Sequence, residues 1–136
     1  MNVNGGGFSG NSAEFGGGLY NDSGGVATVT NSAQIKQNAA SNDGGGVYNH
    51  GGLTVTDSTL SNNTAVQDGG GVFNAAGGAL NVNGGALLSG NTATILGGGI
   101  FNDNTGTVHV NNGILDGNSA LFGGGLYNNA GGTATA

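Results

Sequence analysis

The amino-acid sequence predicts an all-β protein: a parallel β-helix of five coils of about 26 residues, three short strands to a coil, forming one domain over residues 1–136. Three observations carry this reading. A Gly-Gly-Gly-aliphatic-aromatic-Asn block recurs at residues 16–21, 44–49, 69–74, 97–102 and 123–128, at spacings of 28, 25, 28 and 26 residues. No apolar stripe of helical period occurs anywhere in the chain. Proline is absent, as suits a chain of interior strands in which each ladder position needs its N–H. A unit this short has no room for a helix and cannot bury its own apolar face, so the units must stack on one another.

Each element follows from local pattern. A block of the form apolar-x-x-Asn-x-Ala precedes every glycine triplet, at residues 8–13, 35–40, 60–65, 88–93 and 115–120. A segment of period-2 alternation follows each of the first four triplets: Ala27-Thr28-Val29-Thr30, Leu53-Thr54-Val55-Thr56, Leu80-Asn81-Val82-Asn83 and Val108-His109-Val110-Asn111. Alternation places side chains on opposite faces of a strand. It assigns three inward columns: Leu19, Val47, Val72, Ile100 and Leu126; Phe8, Ile35, Leu60, Leu88 and Leu115; and Val3, Val29, Val55, Val82 and Val110. Ala13, Ala40, Ala65, Ala93 and Ala120 are expected to fill a tight corner. The triplets permit a bend at positive φ and a close approach of backbone to backbone.

The paired blocks resemble the repeats of the chlamydial polymorphic outer membrane proteins, with Phe-x-x-Asn followed by Gly-Gly-Ala-aliphatic. Phe8-Ser9-Gly10-Asn11 keeps the first motif intact, and Ile or Leu replaces Phe in the other four copies. The third glycine (Gly18, Gly46, Gly71, Gly99, Gly125) stands where that family often has alanine. The resemblance covers nearly the whole chain. It implies a right-handed parallel β-helix from a secreted or surface-displayed, adhesin-like protein.

Composition excludes several classes. One lysine and no arginine, against seven acids and a net charge of −6, leave no basic patch for displacing counterions from nucleic acid. No run of about 18 apolar residues is present, so no transmembrane helix is expected. Without cysteine there is no disulfide framework and no thiolate chemistry. The first residues, Met1 to Gly5, show no basic and apolar leader. No catalytic, metal-binding or cofactor-binding residue is assigned, and the chain is read as not an enzyme.

Several sets of residues in register are candidates for function. Asn21, Asn49, Asn74, Asn102 and Asn128 recur in register, as do Asn11, Asn38, Asn63, Asn91 and Asn118; such stacked amides can bond along the axis and satisfy turn backbone. Tyr20, Tyr48, Phe73, Phe101 and Tyr127 form an aromatic ladder placed on the outside, suited to stacking or lateral contact, or to a sugar or partner surface. The Thr28/Thr30 and Thr54/Thr56 pairs look like an ice-binding face, but the pattern lapses after two coils. Asp43 and Asp68 lie just before glycine triplets on neighbouring coils, where two carboxylates could hold a cation or act as an acid–base pair. The absence of an acidic column beyond them favours solvated surface acids, and His50 and His109 fall at different phases.

The Val3 segment and Thr133-Ala134-Thr135-Ala136 occupy the same phase of the repeat. Neither end carries a capping helix or charged coil, and open strand edges invite another chain. The expected function is that of a structural or adhesive extracellular or cell-surface solenoid. Its partner is itself, in a head-to-tail homopolymer rising about 24 Å per subunit, from five coils at about 4.8 Å. Val3, Phe8, Leu126, Ala134 and Ala136 are the expected axial contacts. The alternative is a segment of a larger surface adhesin with a polysaccharide or other cell-surface ligand; ice binding ranks below both.

Overall fold

A computed structural model describes all 136 residues and contains strands and turns with no helix. The first coil comprises β1 (Asn2–Asn4), β2 (Gly7–Ser9), β3 (Ser12–Ala13) and β4 (Leu19–Asn21). The second comprises β5 (Val26–Thr30), β6 (Gln34–Lys36), β7 (Ala39–Ala40) and β8 (Val47–Asn49). The third comprises β9 (Gly52–Thr56), β10 (Thr59–Ser61), β11 (Thr64–Ala65) and β12 (Val72–Asn74). The fourth comprises β13 (Ala79–Asn83), β14 (Leu87–Ser89), β15 (Thr92–Ala93) and β16 (Ile100–Asn102). The fifth has β17 (Thr107–Asn111), β18 (Ile114–Asp116) and β19 (Leu126–Asn128), and β20 (Thr133–Thr135) opens a sixth turn.

Each strand pairs in parallel with its counterpart one coil away, in the register of the sequence repeat: Val29 with Val55, Leu60 with Leu88, Phe73 with Phe101. The result is a β-solenoid of about five turns, as the sequence predicts. Its first four coils carry four strands rather than three, and the fifth carries three. The apolar-x-x-Asn-x-Ala block is broken in two by one residue in the left-handed region directly before each asparagine: Gly10 (φ 69°), Gln37 (55°), Asn62 (53°), Gly90 (62°) and Gly117 (59°). That single residue turns the chain through a corner, and the Ala-bearing strands β3, β7, β11 and β15 form a sheet of their own. Four of the five alanines expected at a corner, Ala13, Ala40, Ala65 and Ala93, therefore lie on a strand, where Ala40, Ala65 and Ala93 are buried.

The core fills the bore of the solenoid. The three inward columns predicted by alternation are buried over the middle coils, with Val29, Ile35, Val47, Val55, Leu60, Val72, Val82, Leu88 and Ile100 fully enclosed. A further inward column, Ala27, Leu53, Leu80 and Val108, joins them, because the first-sheet strands are five residues long and send two side chains inward.

Strand number differs between the sheets. The first sheet has six strands, β1-β5-β9-β13-β17-β20; the second and fourth have five, β2-β6-β10-β14-β18 and β4-β8-β12-β16-β19; the third has four. Because β1 and β20 share one phase of the repeat, the first sheet is one strand longer than a whole number of coils.

Candidate functional site

The glycine triplets build the corner that positions the aromatic and asparagine columns. In the third coil Gly69 adopts φ +67°, folding the chain back so closely that a Cβ there would stand 2.7 Å from the Phe73 backbone. A Cβ on Gly70 would meet the Thr92 carbonyl group at 2.5 Å and the Gly98 oxygen at 2.6 Å. A Cβ on Gly71 would meet the Gly99 oxygen at 2.5 Å and the Asn91 side-chain amide at 3.1 Å. The three glycines thus serve three needs in turn: a left-handed bend, coil-to-coil backbone contact, and room for the asparagine column.

Both asparagine columns are continuous hydrogen-bonded ladders with one direction. In the first, the side-chain amide of each asparagine donates to Oδ1 of the next coil's: Asn21 to Asn49 at 2.7 Å, Asn49 to Asn74 at 2.8 Å, Asn74 to Asn102 at 2.8 Å and Asn102 to Asn128 at 2.7 Å. In the second, both the backbone N–H and the side-chain amide of Asn11, Asn38, Asn63 and Asn91 donate to Oδ1 of the next asparagine at 2.9–3.1 Å, ending at Asn118. The amides of Asn38, Asn63, Asn91 and Asn118 also donate back to the carbonyls of Phe8, Ile35, Leu60 and Leu88. Buried polar groups are costly unless bonded, and Asn49, Asn63, Asn74, Asn91 and Asn102 are wholly buried; the ladders meet that need coil by coil.

The aromatic ladder stacks along the axis, with centroid distances of 4.9, 5.0, 4.8 and 5.7 Å from Tyr20 through Tyr48, Phe73 and Phe101 to Tyr127. It faces away from the bore, yet it is not an open strip. Phe73 and Phe101 are buried with Ala75, and Leu96 packs against them, while Phe15 meets Tyr48 edge-on at 5.5 Å. Only Tyr20 is exposed, at 51%. The outward platform expected from alternation is thus covered over its middle, because the residue before each triplet is folded back beside the rings.

Asp43 and Asp68 occupy that same folded-back position. Asp43 Oδ1 accepts the Asp68 backbone N–H at 3.1 Å, and Asp68 Oδ1 accepts the Leu96 backbone N–H at 3.0 Å. Both carboxylates tie neighbouring coils together. Burial raises the Asp43 pKa above its ordinary value; the N–H bond opposes this, and the charges of Asp68 and Asp103 add to it. Burial likewise raises Asp68, opposed by its own N–H bond and aided by Asp103. Tyr48 is raised by burial and by Tyr20, Asp43 and Asp103 around it. No three acidic, histidine or cysteine side chains come together as metal ligands.

On the outer face of the first sheet, Asn2, Thr28, Thr54, Asn81, His109 and Thr135 align in one row. Thr28 donates to Asn2 Oδ1 at 3.0 Å, and His109 Nδ1 lies 2.6 Å from Thr135 Oγ1. The Thr-x-Thr pairs of coils two and three remain an isolated patch in this mixed polar row.

The two ends differ. At the first coil Val3 and Leu19 are 7% and 6% exposed, with the half-buried Phe8 ring packed against the core. At the last coil the bore opens into a cavity of about 290 Å³ lined by Val110, Leu115, Leu126, Ala134, Thr135 and Ala136. Oδ1 of Asn11 and Asn21 receives no donor, whereas the ladder-end amides of Asn118 and Asn128 have no onward acceptor. The sequence reading does not reveal the cavity; Ala136, in phase with Val29, Val55, Val82 and Val110, is the signal for it. Compared with protein-family models, curated proteins and solved structures, the chain matches none.

Proposed function

We propose that this chain is a non-catalytic structural solenoid of the cell surface or extracellular space whose end coils stack axially on further coils of the same register, a second copy being the coil that the chain alone can recruit. The observation that carries the reading is the polarity of the asparagine ladders. One end face presents free amide oxygens at Asn11 and Asn21, the other presents donors at Asn118 and Asn128. Two like faces brought together would set acceptor against acceptor; opposite faces continue both ladders. Head-to-tail contact of this kind does not close and generates a fibre. With one lysine against seven acids in 136 residues, few charged side chains guard the edges, which are the usual protection.

The surface setting and the adhesive role rest on the resemblance of the repeats to those of the chlamydial proteins. A sugar-binding role along the aromatic column has less support, since Phe73 and Phe101 are buried. Sedimentation velocity of the purified chain over a hundredfold range of concentration tests the proposal. It should give a mass that grows with concentration without a limiting dimer; a monomer throughout overturns it.

A further inference from the structure

Asparagine in the form Asn-x-Ser/Thr is the acceptor for N-linked glycans on exported chains. The chain holds two such triplets, Asn21-Asp22-Ser23 and Asn62-Asn63-Thr64, and the fold separates them. Asn21 belongs to a buried ladder: it is 7% exposed, and its amide already donates to Gly25 O, Asn49 Oδ1 and Gly52 O. A sugar on that nitrogen would break the ladder. Asn62 is exposed at the corner between β10 and β11. Its backbone N–H is fixed on Ser89 O at 3.0 Å, while no hydrogen bond of the fold uses its side-chain amide. Resting on the surface or extracellular reading above, we propose that Asn62 is an N-glycosylation site, the one of the two that the folded solenoid can carry, with a polyprenyl-pyrophosphate-linked oligosaccharide as donor. In the transfer, Asn62 Nδ2 forms a bond to C1 of the first sugar and the C1–O bond to pyrophosphate breaks. The polyprenyl pyrophosphate leaves, and one amide proton passes to solvent.

Local geometry suits each residue of the triplet to its part. Asn62 stands at φ 53° on the single-residue corner that Gly10, Gln37, Gly90 and Gly117 occupy in the other coils. The two coils that follow therefore place no side chain beside it. Asn62 Oδ1 lies so close over Gly90 that a Cβ there would stand 2.6 Å away, so a group attached to the amide has open room on that side. Asn63 turns into the bore, where its amide donates to Asn91 Oδ1 at 2.9 Å, and does not crowd the acceptor. Thr64, the hydroxyl residue that completes the triplet, is exposed on β11. It also lines an open groove of about 450 Å³ across the third sheet, with Ser12, Ala39, Val66, Thr92 and Thr94. No charged residue lines this groove. Its hydroxyls and methyls match the OH and CH groups of a sugar ring, and give an attached glycan a neutral bed next to the acceptor.

The test expresses the chain behind a cleavable secretory leader in eukaryotic cells and reads occupancy by mass spectrometry before and after peptide-N-glycosidase. A single glycan is expected, at Asn62, with circular dichroism the same before and after its removal. Asn62→Gln should lose the glycan and stay folded, since Gln37 holds the same corner at φ 55°. Thr64→Ala should lose it too and stay folded, since Ala39 holds the paired position one coil away. Ser23→Ala, which breaks the first triplet and spares Asn21, should leave the glycan unchanged. A folded, secreted chain with no glycan at Asn62, or with one at Asn21, overturns the assignment. The leader directs export here, so this outcome is independent of where the chain resides naturally. The surface or extracellular reading fails separately, if antibodies find the chain neither on intact cells of its source nor in their medium.

Discussion

Asn74 is the most exacting place to test what holds the coils in register. Its side chain is fully buried. Its amide donates to Gly78 O at 3.0 Å, Asn102 Oδ1 at 2.8 Å and Thr107 O at 3.2 Å, and its Oδ1 accepts from Asn49 at 2.8 Å. Asn74→Ala leaves the Asn102 oxygen without its donor in a site closed to water, while the Asn49 amide keeps Gly51 O and Ala79 O as acceptors. One buried group left unsatisfied costs about 1–3 kcal/mol. The comparison variant is Asn128→Ala, at an exposed position on the ladder's end, where the Asn102 amide keeps Gly106 O and Thr133 O and no buried group is left unsatisfied; it should cost clearly less. Urea unfolding followed by circular dichroism measures both, read as a shift in midpoint at unchanged slope. Equal losses for Asn74→Ala and Asn128→Ala would refute the claim that the ladder is a stabilising column rather than a row of turn residues.

Three further outcomes follow from the same geometry. Gly70→Ala should abolish folding, because its Cβ meets main-chain atoms of the next coil at 2.5–2.6 Å, whereas Gly77→Ala, at φ +80° with open space around it, should cost about 1–2 kcal/mol; the soluble yields and melting temperatures of the two variants decide this. Leu88→Ala in the sealed bore should cost about 2–5 kcal/mol, and Leu115→Ala on the half-open last coil clearly less, by urea midpoint. Asp43 and Asp68 are both raised by burial above 3.8, so the folded chain binds their protons more readily than the unfolded one. Their contribution to stability is therefore fully present below pH 3.8 and is lost as pH rises through their folded values. Asp43→Asn/Asp68→Asn, which keeps each Oδ1 acceptor, should flatten this part of the stability–pH curve; an unchanged slope between pH 3.5 and 6 tells against it.

The repeat made much of this fold legible. Glycine triplets followed by an aliphatic-aromatic-Asn step place Leu19, Val47, Val72 and Ile100 in the bore, and the register of Val29 with Val55 can be read from the alternation alone. The extra sheet was hidden because two of its five corner residues, Gln37 and Asn62, reach positive φ without being glycine, so the block reads as one strand. The covering of Phe73 and Phe101 was hidden for a different reason. Alternation tells which face of a strand a ring lies on, but the backward fold at Gly69 and Gly97 decides what lies above that face. The carboxylates of Asp43 and Asp68 drew attention as a pair, while their actual partners are backbone N–H groups, which no side-chain pattern reveals. The shared phase of Val3 and Ala136 suggested seamless stacking.

Axial repeat is the most direct test of the central claim that coils stack head to tail. X-ray fibre diffraction from concentrated, aligned protein should show a meridional reflection near 4.8 Å from strands lying across the axis. It should also show a long axial repeat near 24 Å, five strand spacings at about 4.8 Å. Protein that stays monomeric at every concentration, giving no oriented 4.8 Å reflection, contradicts the account.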